Sequence, residues 1–534
     1  MALASLLEGD RDRAVLELEL LRRLHPETED QRAGGRGKVW ELLESMFLDE
    51  KSWSTPLPPL GWTTLGGSPK RNTVAELGVD VARRVVWRTP LPRLDDTGDR
   101  VGAGRLRVAE RAKGLLSYHP AIHGGVVYVR QSGAVRAIRL GDGMPAWPVE
   151  AMGTSTSSDY RDAIYQCADV PSDVIPRRSA HAGVPRYCVT VDRGRLFARM
   201  GTAWTGSGSA IVLRPEQRSF LIGIDLRTQK LLFDRITPSD GWEFEAAPVA
   251  DGARLFVSLR RRDSASAQAR VACYGIDTGR LLWETDIVRA ETLAGVLFEL
   301  PNSSLSLHDD LLYYNTNLGA TAALRVADGR LEWICRYRRS GIRGDDVTRG
   351  DVLHNDRHCF RDLTPCIVAR GLVITAASDC DRIFAVDAGT GQVAWVTGAD
   401  VAVDAVHLLG VGQGRLLASG DYLYWIDVNS GALVGQFPDP RGATVGFAGP
   451  DPRGYGRGVL AGTHVYWPTR DRIFVFDQSV PRHVRQPIYL STLGITGGNL
   501  LIDRGVLLIA SGDALVALNQ YGRPNGGLTS GANR

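Results

Sequence analysis

The residues best suited to chemistry lie close together at positions 354–362. The stretch holds two histidines four residues apart, a cysteine and two aspartates, namely His354, His358, Cys359, Asp356 and Asp362. Imidazole and thiolate groups are good ligands for Zn²⁺. However, the composition is that of a loop, and no second ligand pair follows at zinc-finger spacing. We therefore favour a solvated loop, or one with structural Arg–Asp pairs, and predict no metal site.

A second polar insertion spans residues 154–185 and includes Arg161. Long loops on a rigid scaffold are where binding residues commonly lie. Together with Trp242 and the loop at 340–364, this insertion could cover one end of a central channel. The sequence therefore predicts a pocket near that channel, with a plain cap or disorder as the alternative. The residues that we expect to line this pocket are Arg161, Trp242, Asp356, Arg357 and Asp362.

The chain has seven cysteines, an odd number, and none are adjacent or spaced Cys-x-x-Cys. Cys167 with Cys188, and Cys359 with Cys366, lie around the two insertions and could form disulfides in an oxidising compartment. We favour the alternative of unpaired thiols, buried or in loops.

Two other motifs resemble ligand loops without the required context. Residues 410–415 contain three glycines, but a strand rather than a helix follows, so the pattern predicts a hairpin and no phosphate site. Residues 427–431 resemble the start of a calcium loop, but the later glutamate is missing. We find no Ser-His-Asp, zincin or Walker pattern, and we assign no catalytic residue.

The elements that would position these loops belong to a repeat. An apolar strand is followed by a polar turn with glycine, and a bulky apolar residue stands four positions later. The turn positions are 143, 229, 279, 329, 391 and 431. Short-strand repeats at such spacing indicate radial stacking. The tryptophans that end the clearest copies are predicted to pack between blades as structural residues; they are Trp147, Trp283, Trp333 and Trp395.

Apolar hairpins precede these turns, and eight such units can be counted. Sheets with two apolar faces must be sandwiched between neighbours, so we predict an all-β, eight-bladed β-propeller of four-stranded antiparallel blades. The last unit lacks an outer strand, which residues 83–89 are expected to supply. Helical spacing at 12–25 and 39–48 adds a short N-terminal α-helical segment. The predicted organisation is a helical hairpin at 1–52, a linker and opening segment at 53–82, the propeller at 83–520 and a flexible tail at 521–534.

Residues 385–395, with their Ala-x-Asp-x-x-Thr-Gly-x-x-x-Trp form, resemble the pyrroloquinoline quinone (PQQ)-like repeat. The Trp…Gly-Gly…Arg pattern of residues 61–72 resembles the opening segment of such proteins. The chain as a whole is similar to PQQ-like repeat proteins of planctomycete-type bacteria, in which the N-terminal helices would be a tetratricopeptide-like remnant or a cap. This family includes quinoprotein dehydrogenases and also non-enzymatic relatives, such as the propeller lipoprotein of the bacterial outer-membrane β-barrel assembly machine.

The resemblance leaves the activity open. Quinoprotein alcohol dehydrogenases place a disulfide of adjacent cysteines over the quinone and hold calcium beside it, but this sequence has no Cys-Cys pair and no Cys-x-x-Cys-His haem motif. We therefore predict no cofactor, with PQQ and calcium as the alternative. The predicted function is a non-catalytic binding or assembly scaffold for protein partners on a blade-loop face. The alternative is a PQQ-dependent oxidoreductase or an axial small-ligand binder.

Composition restricts the partners and the compartment. The chain has 63 basic and 60 acidic residues, without a basic stripe, which argues against nucleic acid as a main partner. No apolar run approaches the about 18 residues needed to cross a bilayer. The first residues lack the pattern of a signal peptide, which taken literally predicts a cytoplasmic protein. The resemblance instead implies the periplasm or cell envelope if the sequence begins inside a longer chain.

Overall fold

The computed structural model divides the chain into two compact units, Met1–Leu60 and Gly61–Arg534. It describes residues 11–30, 37–49, 61–76, 78, 79, 81–92, 116–131, 133–147, 164–166, 186–201, 219–262, 266–291, 302–340, 358, 361, 363, 365–439 and 452–520. The predicted tail at 521–534 lies outside these residues.

The first unit contains two helices within its described residues. Helix α1 spans Arg11–Leu24 and α2 spans Val39–Asp49, with the short strands β1 (Glu29–Asp30) and β2 (Gly37–Lys38) paired between them. These bounds agree with the predicted helices to within one residue. Pro26 follows α1, and its carbonyl accepts a hydrogen bond from the Trp40 indole at 3.1 Å. Neither helix has the length and apolar character required to cross a bilayer.

The second unit is built from eight sheets, which confirms the predicted eight-bladed β-propeller. We name the four main strands of a blade A to D, from the innermost to the outermost. Blade 1 consists of β3 (Gly61–Trp62), β7 (Ala121–His123), β8 (Val126–Arg130), β9 (Ala134–Arg139) and β10 (Ile164–Gln166). Blade 2 consists of β6 (Tyr118–His119), β11 (Tyr187–Asp192), β12 (Arg195–Met200) and β13 (Phe220–Asp225). Blade 3 consists of β14 (Trp242–Phe244), β15 (Val249–Ala250), β16 (Arg254–Arg262), β17 (Ser266–Gly275) and β18 (Leu281–Glu291).

The remaining five blades follow the same plan. Blade 4 consists of β19 (Ser306–His308), β20 (Leu311–Asn315), β21 (Ala320–Arg325) and β22 (Leu331–Arg336). Blade 5 consists of β23 (Ile367–Ala369), β24 (Leu372–Thr375), β25 (Phe384–Asp387) and β26 (Val393–Val396). Blade 6 consists of β27 (His407–Gly412), β28 (Arg415–Ser419), β29 (Leu423–Asp427) and β30 (Leu433–Phe437). Blade 7 consists of β4 (Val74–Ala75), β31 (Val459–Ala461), β32 (His464–Pro468), β33 (Arg472–Asp477) and β34 (Ile488–Tyr489). Blade 8 consists of β5 (Val81–Pro90), β35 (Asn499–Asp503), β36 (Val506–Ala510) and β37 (Ala514–Gln520).

The A strands are β7, β11, β15, β19, β23, β27, β31 and β35, and β3, β4, β6 and β14 are additional strands. In blade 2 the D position is held by residues 231–236, which contact β13 through isolated bridges.

The A strands form the inner ring. Each contacts the A strand of the next blade from β11 through β35, β7 contacts β11, and β35 contacts β3 of blade 1. Central strands such as β24 and β36 are buried along most of their length, whereas outer strands such as β18 are largely exposed. The core is therefore a series of apolar layers between successive blades, because the two faces of each sheet are covered by the two neighbouring blades.

The ring closes with a strand from the start of the propeller sequence. As expected for residues 83–89, β5 pairs antiparallel with β37 and supplies the D strand of blade 8. The Trp87 indole on β5 donates to the Leu140 carbonyl of blade 1 at 2.8 Å. The same strand thus completes the last blade and attaches it to the first.

The repeated turns provide another set of contacts between blades. Gly391 of blade 5 has φ +72, and a Cβ there would lie 2.6 Å from the Trp333 ring of blade 4. The Trp333 indole donates to the Ala388 carbonyl of that turn at 2.9 Å. The Asp387 carboxylate fixes the turn by accepting from the Thr390 amide at 2.8 Å and from the Thr390 hydroxyl at 2.9 Å. Trp283 and Trp395 make the same contacts on the turns of blades 4 and 6.

Connections alternate between the two ends of a blade. Those from B to C and from D to A lie on one side of the propeller, which we call the insertion face. Those from A to B and from C to D lie on the other, the turn face, where the repeated glycine turns are found. The inner strands β11 and β23, which follow the two predicted insertions, both begin at the insertion face.

Candidate functional site

Residues 61–75, which we call the axial segment, bond to inner strands around the ring. This stretch belongs to the predicted linker and opening segment, yet it contributes β3 to blade 1 and β4 to blade 7. Its bonds with the other blades run from the Val191 amide to the Thr63 carbonyl (2.7 Å), from Leu307 to Pro69 (2.9 Å), from Val368 to Lys70 (3.1 Å) and from Val411 to the Asn72 side chain (2.7 Å). A short segment can reach the A strands of blades 1, 2, 4, 5, 6 and 7 only from inside the ring. It therefore occupies the central channel.

Arg71 anchors this segment by its side chain. It is only 2% exposed. Its Nε and Nη2 atoms donate to the Leu305 carbonyl at 2.9 and 2.6 Å, and Nη1 donates to the Thr64 hydroxyl at 2.7 Å and to the Leu65 carbonyl at 2.9 Å. Burial lowers the pKa of Arg71 to about 10, so the guanidinium remains charged at neutral pH. The group is held by carbonyl and hydroxyl oxygens, and its donors point into the protein.

The apolar part of the axial segment completes a small core. Leu65 is buried in a cluster with Cys188, Ala247 and Leu363. The channel at this level is thus filled by the protein's own side chains. Within the part of the chain that the structure describes, no three His, Cys, Asp or Glu side chains are grouped as ligands for a metal ion. The described residues therefore do not fit a quinone–calcium centre on the axis at the level of the inner strands.

Buried charges lie between blades 3 and 4. Arg260 donates to Glu245 Oε1 through Nε at 2.7 Å and through Nη2 at 2.6 Å, and also to the Thr316 carbonyl at 2.6 Å. The Tyr314 hydroxyl donates to the other Glu245 oxygen. Burial, reinforced by the Glu245 charge, raises the pKa of Tyr314 well above its ordinary value. These groups are satisfied by one another, so the arrangement holds the two blades together.

A second network joins blades 4 and 5. Asp379 accepts from the Tyr337 hydroxyl at 2.7 Å, from Arg339 Nε at 2.8 Å and from the Gly319 amide at 2.9 Å. Burial, followed by the Asp379 charge, raises the pKa of Tyr337 well above its ordinary value. The carboxylate is only 6% exposed and is aligned on three donors. It therefore positions residues 337–339, which continue from β22 along the insertion face.

An open cavity of about 830 Å³ lies beside this network. We call it the blade 4–5 cavity. Its lining residues from blade 4 are Cys335, Arg336, Tyr337, Arg338, Arg339 and Ser340, and those that follow are His358, Cys380, Asp381, Arg382, Phe384, Val393 and Val396. Among these described residues are four guanidinium groups and one carboxylate, so the charge of the described lining is predominantly positive.

Most residues of the predicted axial pocket cannot be compared with this geometry. Arg161, Asp356, Arg357 and Asp362 lie outside the described residues. Trp242 lies on β14 of blade 3, is 4% exposed, and has the Arg270 guanidinium 4.2 Å from its ring. The pocket remains a prediction.

Sequence reasoning did not identify the blade 4–5 cavity. Three of its arginines, at 336, 338 and 339, form a run directly after a repeat strand, which is a signal that the sequence contains. That signal is weak here because only five of the 63 basic residues are lysine, so arginine is common everywhere in the chain.

The other sequence motifs have structural roles. Residues 410–415 form the β27–β28 hairpin, as expected. Asp427 accepts from the amides of Asn429 and Ser430 and stabilises its own turn. Cys366 is a buried thiol whose sulfur lies 3.5 Å from the Thr375 hydroxyl, and its possible partner Cys359 lies outside the described residues, so the Cys359–Cys366 disulfide stays a prediction. Cys273 and Cys335 are also free and buried.

Comparison with known proteins supports the repeat and the fold. Residues 225–479 match the family described as outer membrane protein assembly factor BamB. No curated protein matches the chain. The quinohemoprotein alcohol dehydrogenase of Comamonas testosteroni is similar in structure, with a TM-score of 0.54 and 12% identity over 92% of this chain and 83% of that chain. The dehydrogenase ADHIIG of Pseudomonas putida HK5 gives 0.51 and 11% over 89% and 82%.

BamB from Moraxella catarrhalis gives a TM-score of 0.46 and 13% identity over 81% of this chain and all of that chain. The family match confirms the PQQ-like repeat that the sequence predicted, and the two dehydrogenase structures show the same fold. At these identities the structural likeness shows the fold and leaves the activity open.

Proposed function

We propose that this PQQ-like repeat propeller is a non-catalytic scaffold that binds protein partners through its insertion face. The observation that carries the proposal is the axial segment. A small ligand on the axis at the level of the inner strands would need the space that Leu65 and Arg71 occupy. The two faces of the ring are then the remaining large surfaces. The longer connections between strands lie on the insertion face.

The buried charged groups support the same function. Glu245 and Asp379 each have several donors within hydrogen-bonding distance, which orders the blades beneath the insertion face. A carboxylate held in this way has its lone pairs engaged and is a poor general base. A rigid ring that positions loops is well suited to recognition, because less conformational freedom is lost on binding.

The first experiment tests the oxidoreductase alternative. Purified protein is mixed with PQQ and Ca²⁺, and quinone absorbance and dye reduction with alcohols and sugars are measured. We expect neither binding at micromolar quinone nor turnover. A quinoprotein dehydrogenase reconstituted in parallel is the positive control. Turnover above a quinone-only blank would overturn the scaffold proposal.

The second experiment locates partner binding. A photo-crosslinking amino acid replaces exposed Ser239, in the connection that follows blade 2 on the insertion face, or exposed Arg280 on the turn face. In cells that produce the protein naturally, we expect a discrete crosslinked protein from position 239 and none from position 280. Crosslinking confined to position 280 would contradict the assignment of the face.

A further inference from the structure

The blade 4–5 cavity has two chemically different sides. Its basic side is formed by Arg336, Arg338, Arg339 and Arg382. Its apolar side includes Val393 and Val396 of β26, whose side chains are 55% and 53% exposed, and the buried ring of Phe384. Charge and apolar surface are thus available within one concave region.

Two of the four guanidinium groups are used within the protein. Arg339 pairs with Asp379 at 2.8 Å and donates to the Glu291 carbonyl at 2.7 Å. Arg382 donates to the Thr397 carbonyl at 2.9 Å and lies 3.7 Å from Asp381. These bonds fix the two side chains in place, so this part of the basic side is preformed.

The other two guanidinium groups remain available. Arg336 and Arg338 are exposed, and neither pairs with a carboxylate among the residues that the structure describes. His358, on the same lining, adds no charge at neutral pH, because burial lowers its pKa to about 4. Among the described lining residues Asp381 is the single carboxylate, and the Ser340 hydroxyl donates to it at 3.0 Å. Counted over its described lining, the cavity therefore carries an excess of positive charge that a ligand would neutralise.

We propose that this cavity binds a segment of a partner polypeptide in which carboxylate side chains stand next to apolar ones. This inference rests on the proposed scaffold function and names the kind of partner. Guanidinium groups offer paired N–H donors that match a carboxylate, and the valines offer a surface for aliphatic side chains. A volume of about 830 Å³ lies within the range of about 300–1,000 Å³ typical of sites for organic ligands, and it exceeds what one inorganic anion would fill.

The test uses the full chain and a fluorescein-labelled decapeptide of alternating glutamate and leucine, with binding followed by fluorescence anisotropy. A decapeptide of alternating lysine and leucine and a decapeptide of glutamate alone are compared with it. We expect the glutamate–leucine peptide to bind most tightly, and its affinity to fall as the salt concentration rises.

Charge reversal assigns this binding to the cavity. The variant Arg336→Glu with Arg338→Glu should weaken binding about tenfold or more, because two attractions become repulsions. The matched control, Arg227→Glu with Arg280→Glu on the turn face, makes the same change in net charge and should bind as the wild type does. Circular dichroism and thermal unfolding of both variants separate lost binding from lost folding.

Apolar recognition is tested with Val393→Ser and Val396→Ser together, which should weaken the glutamate–leucine peptide severalfold and leave the all-glutamate peptide unchanged. Equal binding of the lysine–leucine peptide, or equal effects of the two charge reversals, would overturn the proposal. So would displacement by tripolyphosphate with no effect of the valine changes, since that result indicates a site for small anions. Crosslinking at Ser239 involves a different blade, so it tests the scaffold function independently of this cavity.

Discussion

The turn glycines show how the absence of a Cβ atom controls an interface between blades. Gly391 meets two requirements at once: a left-handed backbone with φ +72, and room for the Trp333 ring that lies over it. Gly329 and Gly431 have the same relationship to Trp283 and Trp395. The repeat therefore keeps glycine where an inter-blade contact and a turn coincide.

Replacing Gly391 with alanine should destabilise the protein by about 2–4 kcal/mol, since the new methyl group is forced toward the Trp333 ring in a backbone conformation that alanine adopts poorly. Gly389 in the same turn is the matched control, because a Cβ there meets only an Asp387 oxygen at 3.6 Å. Gly389→Ala should change stability by less than about 0.5 kcal/mol. Urea unfolding of both variants gives the comparison, and similar losses would refute this role of Gly391.

His358 should make stability depend on pH. Burial, and then the nearby Arg361 charge, lowers its pKa from 6.5 to about 4. Below pH 6.5 the unfolded chain binds a proton that the folded protein excludes, so stability falls as the pH drops from about 6.5 to about 4. Between pH 7 and pH 5 the free energy of unfolding should decrease by about 2 kcal/mol less in His358→Gln than in the wild type. Urea unfolding of His358→Gln and of the wild type at pH 7 and pH 5 checks this, and an equal loss of stability in the two proteins would disprove the prediction.

At the scale of elements, strands and hairpins were predictable because their signals are local. The Asp–x–x–Thr–Gly turn and the alternation of apolar and polar residues specify β25 and β26. These signals do not depend on the position of the blade in the ring. The position of the axial segment depends instead on bonds to strands far away in sequence. Nothing in the opening pattern of residues 61–72 indicates that its carbonyls will bond to Val191, Leu307 and Val368.

The blade 4–5 cavity was unpredictable for a similar reason. Arg336 and Arg338 belong to one blade, whereas Arg382 and Val393 belong to the next. The way in which two neighbouring blades pack decides which of their residues meet at the interface. The period of the repeat does not determine this packing. The sequence thus specified the blades better than the surfaces between them.

The axial segment should act as a structural element that depends on Arg71. Arg71→Met removes four hydrogen bonds and leaves the Leu305 carbonyl and the Thr64 hydroxyl without this donor, which should cost about 3–5 kcal/mol. Hydrogen exchange should accelerate at the amides of Val191 and Val368, which bond to the segment. Lys70→Met is the control, since it removes a neighbouring charge while the Lys70 carbonyl keeps its bond. Equal exchange in the two variants would show that Arg71 does not anchor the segment.

For the whole molecule, the seam between blades 8 and 1 differs from the other interfaces. Blade 8 takes three strands from the end of the propeller sequence and β5 from its start. Closing this blade therefore requires contact between distant parts of the chain, which costs more conformational entropy than pairing neighbouring strands. In blades 3 to 7 the D strand follows the C strand directly in sequence, so these blades form with shorter loops. Opening of the ring should consequently begin at the seam.

This difference can be measured with two matched tryptophans. Trp87 at the seam donates to the Leu140 carbonyl at 2.8 Å and lies over Gly143, while Trp333 between blades 4 and 5 donates to the Ala388 carbonyl at 2.9 Å and lies over Gly391. Each change to alanine removes one ring and one hydrogen bond, worth about 3–5 kcal/mol locally.

We expect Trp87→Ala to unfold faster and at lower urea concentration than Trp333→Ala, because β5 joins blade 8 only by pairing with the distant β37, whereas β22 remains connected to β21 through a short turn. Hydrogen exchange should rise across β35–β37 and β5 in the seam variant, and it should stay confined to β22–β26 in the other. If Trp333→Ala proved equally damaging, with exchange spreading through every blade, the ring would be opening as one cooperative unit and the seam would have no special role. A seam-limited response would instead place the weakest interface of the propeller where the two ends of its sequence meet.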